Sequence, residues 1–329
     1  MKRVKIGLIG CGTVTLKAHL PALMNGPSAG KSSHLFQIVA ICGLDNANLE
    51  HIRSILPQVE VFSDYLELLE HSDCEAVLVA TGEQDHPAIC RAALERGKYV
   101  LCEKPLAVNA AVIRDTFCGL DDKMIHKLQV AFNKRFHPVY LAYEDLKAKG
   151  ELGNITAGSF DFVTQQGSKP GWDGMLSNLI HYCDLVCSIM GEVGDLCCFS
   201  NNNENGNNLS VSLRSVGGSV ANLFFTSAAS WNAGFHEEWQ LVDDKRNRLV
   251  SRNCNESFFF RHGAAPTLIT GSNSVFWLPD AGGYKTQLSS FYDLVCGNRE
   301  LPKVGLSEAL LAHELFERIK AETKGQINA

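Results

Sequence analysis

The chain opens on a strand that runs straight into a glycine turn. Val4-Lys5-Ile6-Gly7-Leu8-Ile9 is followed at once by Gly10-Cys11-Gly12. A short apolar run bounded by glycine reads as a buried strand. Similar runs recur at Phe36–Cys42, Val59–Phe62, Ala76–Ala80, Tyr99–Cys102 and Leu128–Phe132. Between them lie helical patterns at Leu16–Met24, Ala47–Ile55, Tyr65–Glu70, Pro87–Arg96 and Ala110–Cys118. This alternation predicts an α/β domain, a parallel sheet covered by helices on both faces. Right-handed crossovers put the loops after each strand along one edge, where ligands of such sheets bind.

After about residue 150 the pattern changes. Ile155–Thr164, Gly194–Ser200, Leu209–Ser215, Ser219–Thr226, Glu237–Val242 and Arg248–Arg252 read as strands, and a helix over about Gly174–Met190 interrupts them. Gly217-Gly218 and the polar run 201–208 read as turns, which suits antiparallel hairpins in an α+β domain. A last helix, about 307–321, carries Leu310, Leu311, Leu315, Phe316 and Ile319 as one stripe. The 329 residues suit two domains, expected at 1–132 and 133–306.

The net charge of −6 argues against nucleic acid as the main partner. No apolar run is long enough to span a bilayer, so a cytoplasmic protein is expected. The 12 cysteines are scattered without a Cys-x-x-Cys pair, which reads as reduced thiols packed as small hydrophobes. Cys183 and Cys187 lie four apart near His181, but further clustered ligands are lacking and no metal is expected.

In a sheet of this kind the first glycine after the first strand permits a tight turn. The second lets the backbone approach a phosphate, and the helix N-terminus favours an anion. Gly10 and Gly12 fill those places, Thr13 and Val14 complete the turn, and Thr15 stands where a third glycine is usual. The pattern points to a dinucleotide. An acid at the end of the second strand would bind the adenosine ribose diol, and an arginine would favour a 2′-phosphate. Asp45 lies close to that place, with no arginine until Arg53. NAD or NADP is therefore expected, with a slight lean to NAD. Asp45 reads equally well as the N-cap of the helix that follows.

Together these residues resemble the Gfo/Idh/MocA family of sugar and polyol oxidoreductases. Gly10-Cys11-Gly12 with His19-Leu20-Pro21-Ala22-Leu23 is similar to the family's start. Thr81-Gly82-Glu83-Gln84-Asp85-His86 sits where the family has Thr-Pro-x-x-x-His, with Gly82 in place of proline. Gly97-Lys98-Tyr99-Val100-Leu101-Cys102-Glu103-Lys104-Pro105-Leu106 matches its strongest motif throughout. Asn133-Lys134-Arg135-Phe136-His137-Pro138 resembles the segment leaving the first domain, and Tyr284–Leu288 with Phe291 a late helix. The resemblance implies an N-terminal Rossmann dinucleotide-binding domain and a C-terminal domain on an open antiparallel sheet. It also implies a homodimer or homotetramer through that sheet, and a last helix that returns to the first domain.

The chemistry implied is hydride transfer between a nicotinamide and a secondary alcohol or ketone of a sugar, cyclitol or related polyol. Lys104, at the end of a strand, suits the donor that holds the substrate oxygen, and the resemblance assigns it that role. His181 suits the base, since an imidazole exchanges protons near neutral pH, with Asp184 one helical turn away. In the family this helix carries Asp-x-Gly-x-His; here it reads Ser177-Asn178-Leu179-Ile180-His181. The lost carboxylate keeps two other readings open: a dinucleotide-binding regulatory protein, and a lyase or glycosidase using transient oxidation. Thr81, His86 and Glu103 are expected beside the cofactor. Asn133, Arg135, Trp172, Trp231, Ser177 and Asp184 are expected beside the substrate.

Overall fold

The computed structural model describes residues 2–25, 35–164, 171–203, 206–228, 236–253, 256–271 and 282–323. The chain divides into two compact units. The first comprises Met1–Asn133 with Trp277–Leu310, and the second Lys134–Phe276 with Leu311–Ala329.

The first unit is built on a six-stranded parallel sheet in the order β3-β2-β1-β4-β5-β6. The strands are β1 (Val4–Ile9), β2 (Phe36–Cys42), β3 (Glu60–Phe62), β4 (Ala76–Val79), β5 (Tyr99–Cys102) and β6 (Leu128–Val130). The central strands β1, β4, β5 and β6 are buried nearly throughout and β2 over its last three residues, as a sheet covered on both faces requires, while the edge strand β3 is exposed or half-buried. The helices are α1 (Leu20–Asn25), α2 (Asn46–Ile55), α3 (Tyr65–His71), α4 (His86–Glu95), α5 (Ala110–Phe117) and α6 (Asp122–Ile125). A π-helical turn, Thr15–His19, precedes α1. Strand order reverses between β1 and β4, so their carboxyl ends open a crevice.

One element of the first unit comes from far along the chain. Helix α9 (Tyr284–Val295) places Leu288, Phe291, Tyr292 and Leu294 in the same apolar cluster as β1 and β2. The Phe291 ring stacks on Phe36 with centroids 6.1 Å apart, and the Tyr292 hydroxyl donates to the Lys2 carbonyl at 2.8 Å. This corrects the expected 133–306 domain.

The second unit carries an eight-stranded sheet in the order β14-β13-β12-β11-β7-β10-β9-β8. Its strands are β7 (Ile155–Val163), β8 (Val193–Asn203), β9 (Gly206–Ser215), β10 (Val220–Thr226), β11 (His236–Asp243), β12 (Arg248–Arg252), β13 (Glu256–Phe260) and β14 (Thr267–Gly271). All neighbours pair antiparallel except β7 and β10, which run parallel. Helix α7 (Pro138–Ala148) lies against β13 and β14, and α8 (Gly171–Met190) against β7, β8 and β9.

Two further expectations change here. The asparagine run is not a loop eight residues long. Asn201 pairs with Asn208, Asn202 with Asn207 and Asn203 with Gly206, so the hairpin extends almost to its tip. The last helix, α10 (Leu306–Thr323), does not simply return to the first domain, because from Leu311 it groups with the second unit. There the Arg318 guanidinium donates to the Val193 and Gly194 carbonyls, and Phe316 meets Trp172 edge to face at 5.9 Å.

Candidate functional site

The carboxyl ends of β1, β2, β4 and β5 surround a cavity of about 920 Å³. Gly10–Val14 follow β1, Cys42–Asp45 follow β2, Ser63–Tyr65 follow β3, Ala80–His86 follow β4, and Glu103 and Lys104 follow β5. The expected cofactor residues Gly10, Gly12, Thr13, Val14, Asp45, Thr81, His86, Glu103 and Lys104 thus all line one space.

The two glycines are required for different reasons. Gly10 has φ +95°, and a Cβ there would lie 2.4 Å from the Ala80 carbonyl oxygen. Only glycine fits, because the turn passes hard against the end of β4. A Cβ on Gly12 would meet nothing within 4 Å. No protein atom excludes a side chain there, so the opening at Gly12 suits close approach of a ligand to the backbone. Thr15, at the usual third-glycine place, is fully buried, and its hydroxyl donates to the Gly10 carbonyl at 2.6 Å. It staples the turn that a third glycine would otherwise let pack. Glycine turn, cavity and strand-end acid together fit a dinucleotide.

Asp45 does cap α2. Its Oδ1 accepts from the Ala47 amide at 2.9 Å and the Asn48 amide at 3.2 Å. The two readings of this residue are compatible, since it also lines the cavity. Beside it Leu44 is 96% exposed at the cavity rim.

Lys104 follows β5 and is half-buried, and the Lys104–Pro105 peptide is cis. Glu103 turns inward. Its Oε1 accepts from His19 Nε2 at 2.7 Å, and its Oε2 accepts from the Lys104 amide at 3.1 Å. Burial pushes the Glu103 carboxyl up, but the His19 hydrogen bond and the neighbouring Lys104 charge outweigh it and hold the carboxyl below its usual range. The Tyr284 ring lies edge-on to His19 at 5.2 Å, and burial and the Glu103 charge push its hydroxyl well up. His86 is buried and committed to the main chain. Its Nδ1 lies 2.8 Å from the Pro105 carbonyl and its Nε2 3.1 Å from the Thr81 carbonyl. It ties the loop after β4 to the segment after β5.

The residues expected beside a substrate are mostly committed to internal contacts. Asn133, at the end of the first unit, donates its amide to the Gly282 carbonyl at 2.9 Å. In the second unit Arg135 and Asp184 form a two-pronged ion pair, with Nε–Oδ2 and Nη2–Oδ1 both 2.8 Å. Both side chains are buried, so the guanidinium meets a carboxylate of its own chain rather than a ligand. Asp184 is therefore held in a closed pair with Arg135. Trp172 packs on Phe316. The Ser177 hydroxyl donates to the Gly174 carbonyl at 3.0 Å, and Leu179 is wholly buried in the core. His181 is half-buried on α8. Trp231 lies outside the described residues.

Sequence reasoning passed over two buried or cavity-lining groups. Asp64 follows β3, caps α3 and lines the cavity; the rule that placed Asp45 at a strand end would have found it. A second cluster joins Lys134, Glu237 and Tyr182: the ammonium and the tyrosine hydroxyl both donate to Glu237 Oε2. Its partners are 103 and 55 residues apart, so no local spacing reveals it. Among the described residues no group of three or more metal-binding side chains occurs, and no helix is long and apolar enough to cross a membrane.

The family described as "Oxidoreductase family, NAD-binding Rossmann fold" matches residues 4–123. Inositol 2-dehydrogenase of Salmonella paratyphi B is 27% identical over 46% of this chain and 43% of that protein. Trans-1,2-dihydrobenzene-1,2-diol dehydrogenase of Oryctolagus cuniculus is 30% identical over 55% and 53%. The chain thus spans about half the length of the curated relatives it matches. A dehydrogenase of Chromobacterium violaceum shares the fold with a TM-score of 0.85 over 99% of this chain and 97% of that one, at 17% identity. With its glycine turn, its cavity and its Glu103-Lys104-Pro105 segment, the chain is similar over residues 4–123 to the Gfo/Idh/MocA oxidoreductase family.

Proposed function

We propose that the protein is an NAD(P)-dependent oxidoreductase acting on a secondary alcohol or ketone of a sugar, cyclitol or related polyol. The observation that carries this reading is the cavity itself. It joins a glycine turn open at Gly12 to an ammonium, Lys104, at the end of β5. The relatives named for inositol and a dihydrodiol support the substrate class.

Gly10–Val14 would hold the pyrophosphate and Asp45 the adenosine ribose, which inclines the choice to NAD. A nicotinamide bound there would supply or accept hydride. Lys104 holds the substrate oxygen and stabilises negative charge on it. His181 is assigned the hydroxyl proton. Ser177 cannot replace the family's carboxylate, so His181 works without that neighbour.

The sheet of the second unit supports a homodimer or homotetramer. Phe199, Ser210 and Phe224 share one row of the register and are exposed, Phe199 to 67%. Two exposed phenylalanines on one face of the sheet suit a second copy of the chain.

The same loss at Ser177 favours a second reading, a dinucleotide-binding protein without turnover. Titration of intrinsic fluorescence with NADH and NADPH, followed by absorbance assays on a panel of cyclitols and sugars, tests both. Binding of neither nucleotide overturns the proposal. In an enzyme, Lys104→Ala lowers turnover by about 10²–10³ while nucleotide affinity holds. A protein that binds nucleotide but turns over no polyol is the second reading.

A further inference from the structure

We infer that Asp64, at the end of β3, is a second specificity residue of the cavity, acting with Asp45 to select the free ribose diol of NAD over the 2′-phosphate of NADP. The inference rests on the dinucleotide reading and deepens it.

Three observations carry it. First, the sheet register brings the two acids to neighbouring strand ends. Cys42 pairs with Phe62 in parallel, so Asp45 lies three residues and Asp64 two residues beyond the same rung. Both line the cavity. Second, each carboxylate is anchored through one oxygen. Asp45 Oδ1 accepts from two α2 amides, and Asp64 Oδ1 accepts from the Leu66 amide at 2.7 Å. Capping fixes where each negative charge sits. Third, the neighbouring charges are one-sided. Glu83, Asp85 and Glu103 also line the cavity, whereas Lys104, after β5, is its sole lysine or arginine among the described residues. Arg53, the arginine expected to matter for a 2′-phosphate, faces Glu50 at 3.4 Å and is not part of the lining.

A 2′-phosphate brings about two negative charges near neutral pH. Placed against two fixed carboxylates it is repelled, and no guanidinium among the described lining residues offsets this. A ribose diol is neutral and donates hydrogen bonds to carboxylates. Selection at Asp64 therefore comes mainly from rejecting the phosphate rather than from binding the diol.

The test uses the full chain and needs no substrate. NADH and NADPH are titrated against intrinsic fluorescence for wild type, Asp64→Asn, Asp45→Asn and the double variant. Asparagine caps a helix as well as aspartate does, so each change removes charge and keeps the cap. Circular dichroism and a melting curve confirm that the variants fold. Wild type is expected to bind NADH at least about 30-fold more tightly than NADPH. Asp64→Asn should narrow that ratio about 5-fold by improving NADPH affinity, with NADH affinity changed less than about 2-fold. The double variant should narrow it further, and raised salt should narrow the wild-type ratio. A wild type that prefers NADPH, or a ratio indifferent to Asp64→Asn, overturns the assignment and leaves the oxidoreductase reading standing. A chain that binds neither nucleotide overturns both.

Discussion

The two units use their charged residues in opposite ways. In the first, acids and the Lys104 ammonium stand at strand ends around a cavity. In the second, Arg135 is closed on Asp184, and Lys134 on Glu237 with Tyr182, all within the fold. A parallel sheet ends every strand on the same edge, so polar side chains there cannot all be covered by the next element. An antiparallel sheet with helices on one face buries polar groups between layers, and those must find partners inside. Charge type alone therefore says little about function. What matters is whether the topology leaves the charge open or forces it to pair.

The largest expected effect comes from opening a closed pair. Arg135→Ala should leave the Asp184 carboxylate buried and unpaired. A loss of about 3–5 kcal/mol is expected in urea unfolding. Lys104→Ala, which alters a half-buried cavity lysine, should change stability by less than about 0.5 kcal/mol. If Arg135→Ala were as mild as Lys104→Ala, the contrast between the units would fail. Arg135→Met with Asp184→Leu sharpens it, because removing both charges should recover much of the loss.

A smaller effect separates two glycines that stand two residues apart in the same turn. Gly10→Ala forces a Cβ against the Ala80 carbonyl at positive φ. It should lose about 1–3 kcal/mol of stability and nucleotide binding with it. Gly12→Ala adds a methyl where nothing lies within 4 Å. It should melt like wild type and yet bind nucleotide more weakly. Melting curves and fluorescence titration read both. Equal loss of stability in the two variants would mean that Gly12 serves packing, not a ligand.

The same topological difference explains what the sequence disclosed. Buried parallel strands are continuous apolar runs, so all six strands of the first unit were readable within a residue or two. The glycine turn and the Glu103-Lys104-Pro105 segment were equally plain, being local. Helix α9 was not readable from pattern as part of that core, since its contact with Phe36 spans most of the chain. In the second unit, β13, β14 and α7 escaped notice. Strands such as Glu256–Phe260 carry too weak an alternation, and Pro138 followed by aromatic residues gives no clean helical stripe. The asparagines misled because turn chemistry outweighs pairing when only one strand is considered. Arg135 and Asp184 were readable as important and not as partners, because 49 residues separate them.

The smallest expected effect is in acid, and it compares one carboxylate from each unit. Burial raises Glu103 and Glu237, but hydrogen bonds and neighbouring positive charge win in both, and each carboxyl is held below its usual range. For Glu103 the counterweights are His19 and Lys104; for Glu237 they are Lys134, His137 and Tyr182. The unfolded chain takes up a proton near pH 4.3, while the folded one still resists. Below that pH the unfolded state binds more protons, so stability present at neutral pH is lost as pH falls through the folded values. Each group adds at most one proton to the slope, about 1.4 kcal/mol per pH unit. Urea midpoints from pH 7 to pH 3 should therefore fall less steeply in Glu103→Gln and in Glu237→Gln than in wild type. A slope changed by Glu237→Gln alone would mean that the carboxylate beside Lys104 titrates like a solvent-exposed group. The cavity edge would then be open to water at Glu103, and the division between open and closed charge would fall between the two units instead of running through the first, where Glu103 is closed on His19.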